Sequence, residues 1–415
     1  MKLTKYSFGI GDRFGRQGQA QLQAILDAQK LGADITPVWN KSHREHSIIH
    51  TTPADVRREA DAAVAALNWT GPYCVDADHI DLANVDSFMD ASDFFTLDVA
   101  EFIGKEVPPE QITEFVNQYE KYLGELKIPA LDEPLDVTRS QLQAIARKYL
   151  PAIARAAAIY RHIAQAKGAG NFITEVSMDE TDQPQTPVEM LFILAMIADQ
   201  AIPAQTVAPK FTGRFNKGVD YVGDVDQFAR EFEQDLAVIQ FAVKEFDLPQ
   251  NLKLSVHSGS DKFSIYKPIR AALARFDAGL HLKTAGTTWL EELIGLAGAG
   301  PDGCQLVCQV YTQALERFDE LCGPYATVID IDRAALPTPQ QLDAYDGPTL
   351  ARTIRHDPNA AQYNPNVRQL FHVGYKVAAE MGPAYLDALT KHSDAIAQCV
   401  RENLLDRHIK PLFLP

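Results

Sequence analysis

The chain has 415 residues, 46% of them hydrophobic and 23% charged, with 39 Lys and Arg against 55 Asp and Glu for a formal net charge of −16. That much apolar material builds a sizeable core and excludes intrinsic disorder, while an acidic chain without a Lys/Arg cluster is a poor partner for nucleic acid or anionic lipid. Five cysteines with no CxxC pair (Cys74, Cys304, Cys308, Cys322, Cys399) argue against a disulfide framework. The amino terminus lacks the apolar stretch of a signal peptide, and the longest apolar run, MLFILAMIA at 190–198, is far short of the ~20 residues a membrane span needs. The expectation is a cytoplasmic protein.

Short β-type runs alternate with amphipathic helical patterns in chain order. YSFGIG (6–11) comes first, followed by a helical stripe of Leu22, Ile25, Leu26 and Leu31. DITPVWN (34–40), YCVDAD (73–78) and FFTLDV (94–99) read as the next strands. Between about 101 and 170 the rhythm breaks: Pro108-Pro109 and helical patterns near 110–124 and 138–167 predict a helical insertion. FITEVS (172–177), TVAPKF (206–211), LKLSV (252–256) and LHLKT (280–284) resume the strands, and QLFHVGY (369–375) is a candidate ninth. Thr186 with Glu189 forms a capping box with Pro187 at the first helical position; Thr288 with Glu291 forms a second, opening WLEELIGLA. Asp224 with Gln227 starts a helix that ends near Phe246, ahead of Leu248-Pro249. Near-continuous apolar strands alternating with helices imply a parallel sheet, and eight of them imply closure. The predicted fold is a single TIM-barrel-like (β/α)₈ domain over 1–415, with the helical insertion at about 101–170 and a helical C-terminal extension.

In such a barrel the chemistry gathers where strands end and the following loops begin. Asp76, Asp78 and His79 close the third strand, and Glu175, Ser177 and Asp179 close the fifth. His257 follows LKLSV directly, and His281 and Lys283 stand two apart in their strand, hence on one face. Imidazoles and carboxylates converging from different strands, with open positions for substrate oxygens, suit a divalent metal. Asp78 and His79 are adjacent, so both join one site only if the chain turns there. Arg13, Lys217, Lys262 and Lys283 are placed for an anionic small substrate, and Lys283 in a buried strand keeps a Schiff base open. His43, His46 and His50 have spacing that resembles a metal cluster but read as a solvated loop, and His372 reads as a packed core residue over the alternative of a ninth-strand site residue. GIGDRFG has its glycines misplaced for a dinucleotide fingerprint.

FGIGDRFG, VDADHI, EVSMDET with the following QTP, FNKGVDYVGD, LSVHSGSDKFSIY, HLKTAGTTWLEE and NVRQLFHVGY occur in this order up to about residue 376. With these blocks the sequence resembles the tagaturonate epimerase family, which interconverts tagaturonate and fructuronate in hexuronate catabolism. The resemblance implies a divalent-metal-dependent enzyme on a barrel, acting on a small sugar acid, with a homo-oligomer compatible. Carried over residue by residue, Asp78 and Glu175 would be the acid/base pair and His79 and His257 metal ligands. His281 is favoured as third ligand, with Glu175 or a residue near Lys217 in competition. The metal would be Zn, Mn, Co, Ni or Fe. Two further readings are a class II-type metal-dependent aldolase acting on a keto-sugar acid and a non-catalytic sugar-acid binding protein.

Overall fold

The computed structural model describes residues 1–284 and 286–414. Eight parallel strands close into a barrel: β1 (Tyr6–Ile10), β2 (Ile35–Ser42), β3 (Cys74–Ile80), β4 (Phe94–Asp98), β5 (Ile173–Ser177), β6 (Thr206–Ala208), β7 (Lys253–His257) and β8 (Leu280–Lys283). Each is hydrogen-bonded to the next in chain order, and β8 closes onto β1 with Gly9 opposite Lys283. The strands are buried along nearly their whole length because side chains fill the barrel on one face and helices cover the other.

The covering helices are α1 (Gly18–Lys30), α2 (His43–Ile49), α3 (Pro53–Ala66), α4 (Pro109–Gln118), α5 (Arg139–Lys167), α6 (Pro187–Asp199), α7 (Val225–Glu245), α8 (Tyr266–Phe276) and α9 (Gly286–Ala299). α10 (Pro301–Glu316) begins the C-terminal helical layer. Thr186 caps α6 through the Glu189 amide, and Asp224 caps α7 through the amides of Asp226 and Gln227. α6 holds the apolar run that opens MLFILAMIA. Every residue from Met190 to Ile197 is buried, so it is a core helix, and no described helix is long and apolar enough to cross a membrane.

The structure redraws three expectations. The 101–170 stretch contains a small antiparallel hairpin, Gly124–Leu126 with Leu135–Val137, and its long helix α5 is the one that returns the chain from β4 to β5. QLFHVGY is no strand: it lies mostly in the helix Pro365–Val373, capped by Asn364, because a barrel already closed by eight strands offers no edge to a ninth. α9 begins at Gly286, so Thr288 lies inside its first turn, where its hydroxyl accepts a hydrogen bond from Gln21 Nε2 at 2.7 Å. α9 is buried from Gly286 to Ala297, and Trp289 donates to the Phe371 carbonyl at 2.7 Å. The C-terminal extension thus seals the last barrel helix.

Gly9 sets the space available to Lys283. A Cβ there would stand 2.9 Å from Lys283 Cγ and 3.0 Å from its Cα. Gly9→Ala should therefore overpack the barrel and destabilise it by about 1–3 kcal/mol, read as a lowered urea midpoint at constant slope.

Candidate functional site

Alternation along β3 sends Asp76 and Asp78 into the barrel and would send His79 outward. His79 instead has φ of 52°, in the left-handed region, and the β3–β4 pairing shifts register between Ala77 and Ile80. This bulge turns His79 back to the mouth beside Asp78, whose Oδ1 is 3.8 Å from His79 Nε2. A non-glycine residue in that conformation costs on the order of 1–3 kcal/mol and persists only where its surroundings hold it.

Lys283 stands at the centre of the mouth. Its Nζ is 2.8 Å from Asp76 Oδ2, 2.9 Å from Asp78 Oδ1 and 3.0 Å from Glu175 Oε1. The Thr96 hydroxyl, at hydrogen-bond distance from both Asp76 and Glu175, and Thr206, donating to Glu175 Oε2 at 2.7 Å, complete the shell. Burial alone would neutralise Lys283, but the three carboxylates outweigh it and hold the ammonium well above its ordinary range. Burial likewise pushes Asp78 and Glu175 up, and Lys283 outweighs it, so both are held below the usual carboxylate range. Asp76 is the one that yields: burial pushes it up to about 7.

Glu175 also meets His257, whose Nε2 lies 2.8 Å from Oε1. That contact orients the ring so that Nδ1 faces Asp179, 3.0 Å away from Oδ2. The rings of His79 and His257 meet edge to face with centroids 5.2 Å apart. His79, Asp179 and His257 each offer a ligand atom, all within 4.8 Å of one another. Nδ1 of His257 and Nδ1 of His79 are buried and make no hydrogen bond among the described residues, so nitrogens crowd toward carboxylates without bonding them. Two imidazoles and a carboxylate in that state fit a divalent cation. An outer carboxylate fits too: Glu175 stands behind His257 at Nε2, the ring nitrogen away from Asp179. Without a cation, protons take its place. Burial opposes charge on both rings, but Asp179 and Asp78 prevail, raising His257 to about 9 and His79 well above its ordinary value.

This cluster lines one side of a cavity of about 610 Å³ at the barrel mouth. The same cavity is lined by Arg13, His43, Glu45, Lys217, Tyr325, His372, Gly259 and Gly286. Arg13 donates to Glu45 at 2.6 Å and stacks over Tyr375 at 3.9 Å. His43 belongs to α2, which Ser42 and Glu45 cap reciprocally, and not to a solvated loop.

Several expected roles change with these positions. His281 lies two residues below Lys283, roughly 6.6 Å toward the closed end of the barrel. Its Nδ1 bonds the Ser7 hydroxyl at 2.9 Å and burial pushes the ring down to about 3, so it is a neutral core histidine and not the third ligand. Asp179 is the third group of the cluster formed with His79 and His257. Glu175 is fully enclosed and absent from the cavity lining, and its Oε1 meets His257 Nε2 instead. Lys262 is buried away from the cavity, its ammonium donating to the Val219 carbonyl and the Ser260 hydroxyl at 2.8 and 2.9 Å. Lys283 reaches the cavity but is neutralised by its three carboxylates, which removes it as a carboxylate clamp. Its raised pKa also removes it as a Schiff-base nucleophile. Arg13 and Lys217 do line the cavity, as does His372.

A family model described as tagaturonate epimerase matches residues 1–412. The tagaturonate/fructuronate epimerase of Thermotoga maritima is 29% identical over 382 residues, covering 89% of this chain and 72% of that protein. Crystal structures of fructuronate-tagaturonate epimerase from Cohnella laeviribosi, native and complexed with glycerol, share the fold with a TM-score of 0.81 at 23% identity, covering 99% of this chain and 82% of theirs. A probable tagatose 6-phosphate kinase from Sinorhizobium meliloti aligns at a TM-score of 0.50 and 10% identity over 98% of this chain and 100% of its own.

Removing Lys283 alone would leave three buried carboxylates without their counter-charge. Lys283→Met should cost about 3–5 kcal/mol in chemical denaturation at pH 7. Lowering the pH should return part of that loss, because protons then neutralise Asp76, Asp78 and Glu175.

Proposed function

Since the chain belongs to the tagaturonate epimerase family and is thereby an isomerase, we propose that the barrel mouth is where it interconverts D-tagaturonate and D-fructuronate, by retro-aldol cleavage and recondensation in the presence of a divalent cation. The observation that carries this reading is the convergence of His79, Asp179 and His257 beside an anionic Asp78 in one cavity. A larger groove of about 810 Å³ runs along α10, but its lining has no Lys, Arg or His to meet a sugar acid.

In ketose numbering the inverted carbon is C4, two bonds from the C2 ketone, so its hydrogen is not acidified by an adjacent carbonyl. Asp78, held as carboxylate by Lys283, takes the proton of the C4 hydroxyl. The O4 electrons close to an aldehyde, the C3–C4 bond breaks, and its pair is delocalised toward the C2 oxygen of the three-carbon fragment. The aldehyde rotates about C4–C5, and C3 adds to its other face. His43 or Tyr325, each lining the same cavity, then supplies the proton for O4, and exchange with solvent returns the proton from Asp78 and resets both groups. A divalent cation held by His79, Asp179 and His257 supplies Lewis-acid stabilisation for the oxygens on which charge develops. Zn, Mn, Co, Ni and Fe all suit this donor set. The substrate carboxylate lies on the Lys217 side of the cavity, away from the carboxylates around Lys283. A lyase of the aldolase type would use the same groups and release its fragments, so accumulation of two three-carbon products would replace the epimerase reading.

Turnover of tagaturonate should vanish after chelation and return with added metal. Asp78→Asn should lower kcat by about 10²–10⁴. In deuterated water the product should carry no solvent hydrogen at C4; label there would establish direct deprotonation instead. The metal affinity should also depend on pH in a fixed direction. His257, raised to about 9, and His79 hold protons in the ion-free site, so loading releases them and affinity climbs as pH rises from 6 toward 9. The slope should approach a tenfold gain per pH unit for each proton displaced, measured by competition with a chelator of known affinity.

A further inference from the structure

The helix Pro365–Val373 of the C-terminal extension places one side chain in the cavity. His372 is 3% exposed, lines the same cavity as the candidate metal ligands, and its Nε2 has no hydrogen-bond partner among the described residues. A buried ring nitrogen left without a partner is costly, and a polar group brought to this part of the cavity would offset that cost.

Two glycines pack against this side chain, and a third packs against the neighbouring Lys217. A Cβ on Gly286 would stand 2.4 Å from His372 Nε2 and 2.2 Å from the Gly259 carbonyl. One on Gly218, at φ of 79°, would stand 3.2 Å from His372 Cβ. One on Gly259, at φ of 65°, would stand 3.3 Å from Lys217 Nζ. The imidazole nitrogen, the Lys217 ammonium and the first turn of α9 thereby share one corner of the cavity. A helix N-terminus presents positive potential and favours an anion.

The neighbouring cations are already engaged. Arg13 is paired with Glu45, Lys262 is spent on backbone and Ser260, and Arg368 is bonded to Asp261 at 2.7 Å and to the Ile354 carbonyl at 2.7 Å. Lys217 makes no ion pair among the described residues and projects beside Gly259. The ring of His372 is held neutral, first by burial and then by Arg13, Lys217, Lys262 and Arg368 around it. A neutral imidazole there donates one N–H and does not require a counter-ion when the cavity is empty of anion.

We infer that His372, together with Lys217 and the N-terminus of α9, is the clamp for the substrate's carboxylate and the residue set that selects a keto-uronate over a neutral ketohexose. This rests on the epimerase reading above for the identity of the substrate, but the corner's preference for a carboxylate can be measured without turnover.

The test compares D-gluconate with sorbitol, which differ at one terminal carbon, by ligand-observed NMR on the metal-loaded protein and its His372→Leu and His372→Gln variants. His372→Leu should weaken gluconate at least tenfold and leave sorbitol within twofold, and His372→Gln, which keeps an N–H donor, should recover most of the loss. The same variants should raise KM for the keto-uronate by more than they lower kcat. Equal weakening of both ligands, or gluconate binding untouched by His372→Leu, would overturn the assignment. Failure of the wild type to epimerise tagaturonate would strike the epimerase reading and leave the gluconate–sorbitol comparison standing.

Discussion

One buried ammonium organises the mouth of this barrel. Lys283 lies within 3.0 Å of Asp76, Asp78 and Glu175, and three carboxylates could not share so enclosed a space without it. Each contact has a separate consequence. Asp78 remains a carboxylate at the cavity surface and can act as a base. Glu175 remains a carboxylate beneath His257 and fixes the orientation of that ring. Gly9 on the neighbouring strand leaves the room that the lysine stem occupies. The acid–base group and the candidate cation site are therefore products of the same ion cluster, which couples their chemistry.

The second constraint is the bulge at His79. A regular strand would hold Asp78 inside and turn its neighbour away; the left-handed residue at the strand end delivers both to one cavity. It also explains the division of labour between layers. Side chains that point inward along β8 stack at different heights, so Lys283 reaches the mouth while His281 stays below it, bonded to Ser7 and packed against Phe94. Residues on one face of a strand share a direction without sharing a site.

This distinction marks how far the sequence alone could be read. Eight apolar runs and their spacing carried the barrel, and residues at strand ends, Asp78, His79, Glu175 and His257, do converge in the structure. Asp179 was visible at the end of the fifth strand, yet nothing in its spacing ranked it above His281, because height within the barrel is set by register among eight strands. Glu175 looked like a cavity residue because depth is equally invisible along one strand. Lys262, two residues beyond Ser260 in a loop, turns inward to backbone carbonyls, a choice governed by long-range packing against the C-terminal helices. The place of His372 is set by the same long-range packing. Its segment has strand-like composition, and only the closed barrel and the buried Arg368–Asp261 pair show why it forms a helix over the mouth. The extension is thus part of the cavity wall, and Arg368 joins it to the loops that carry Lys217 and His257 by donating to the Gly218 carbonyl and to Asp261.

The central claim is that this ion cluster presents His79, Asp179 and His257 to a single divalent cation. Anomalous diffraction from crystals loaded with cobalt, collected on both sides of its absorption edge, examines it directly. The account predicts one strong peak per chain within bonding distance of those three side chains, with Glu175 behind His257 and outside the coordination sphere. A peak bonded to His281, or a fully loaded site from which Asp179 is absent, would contradict it.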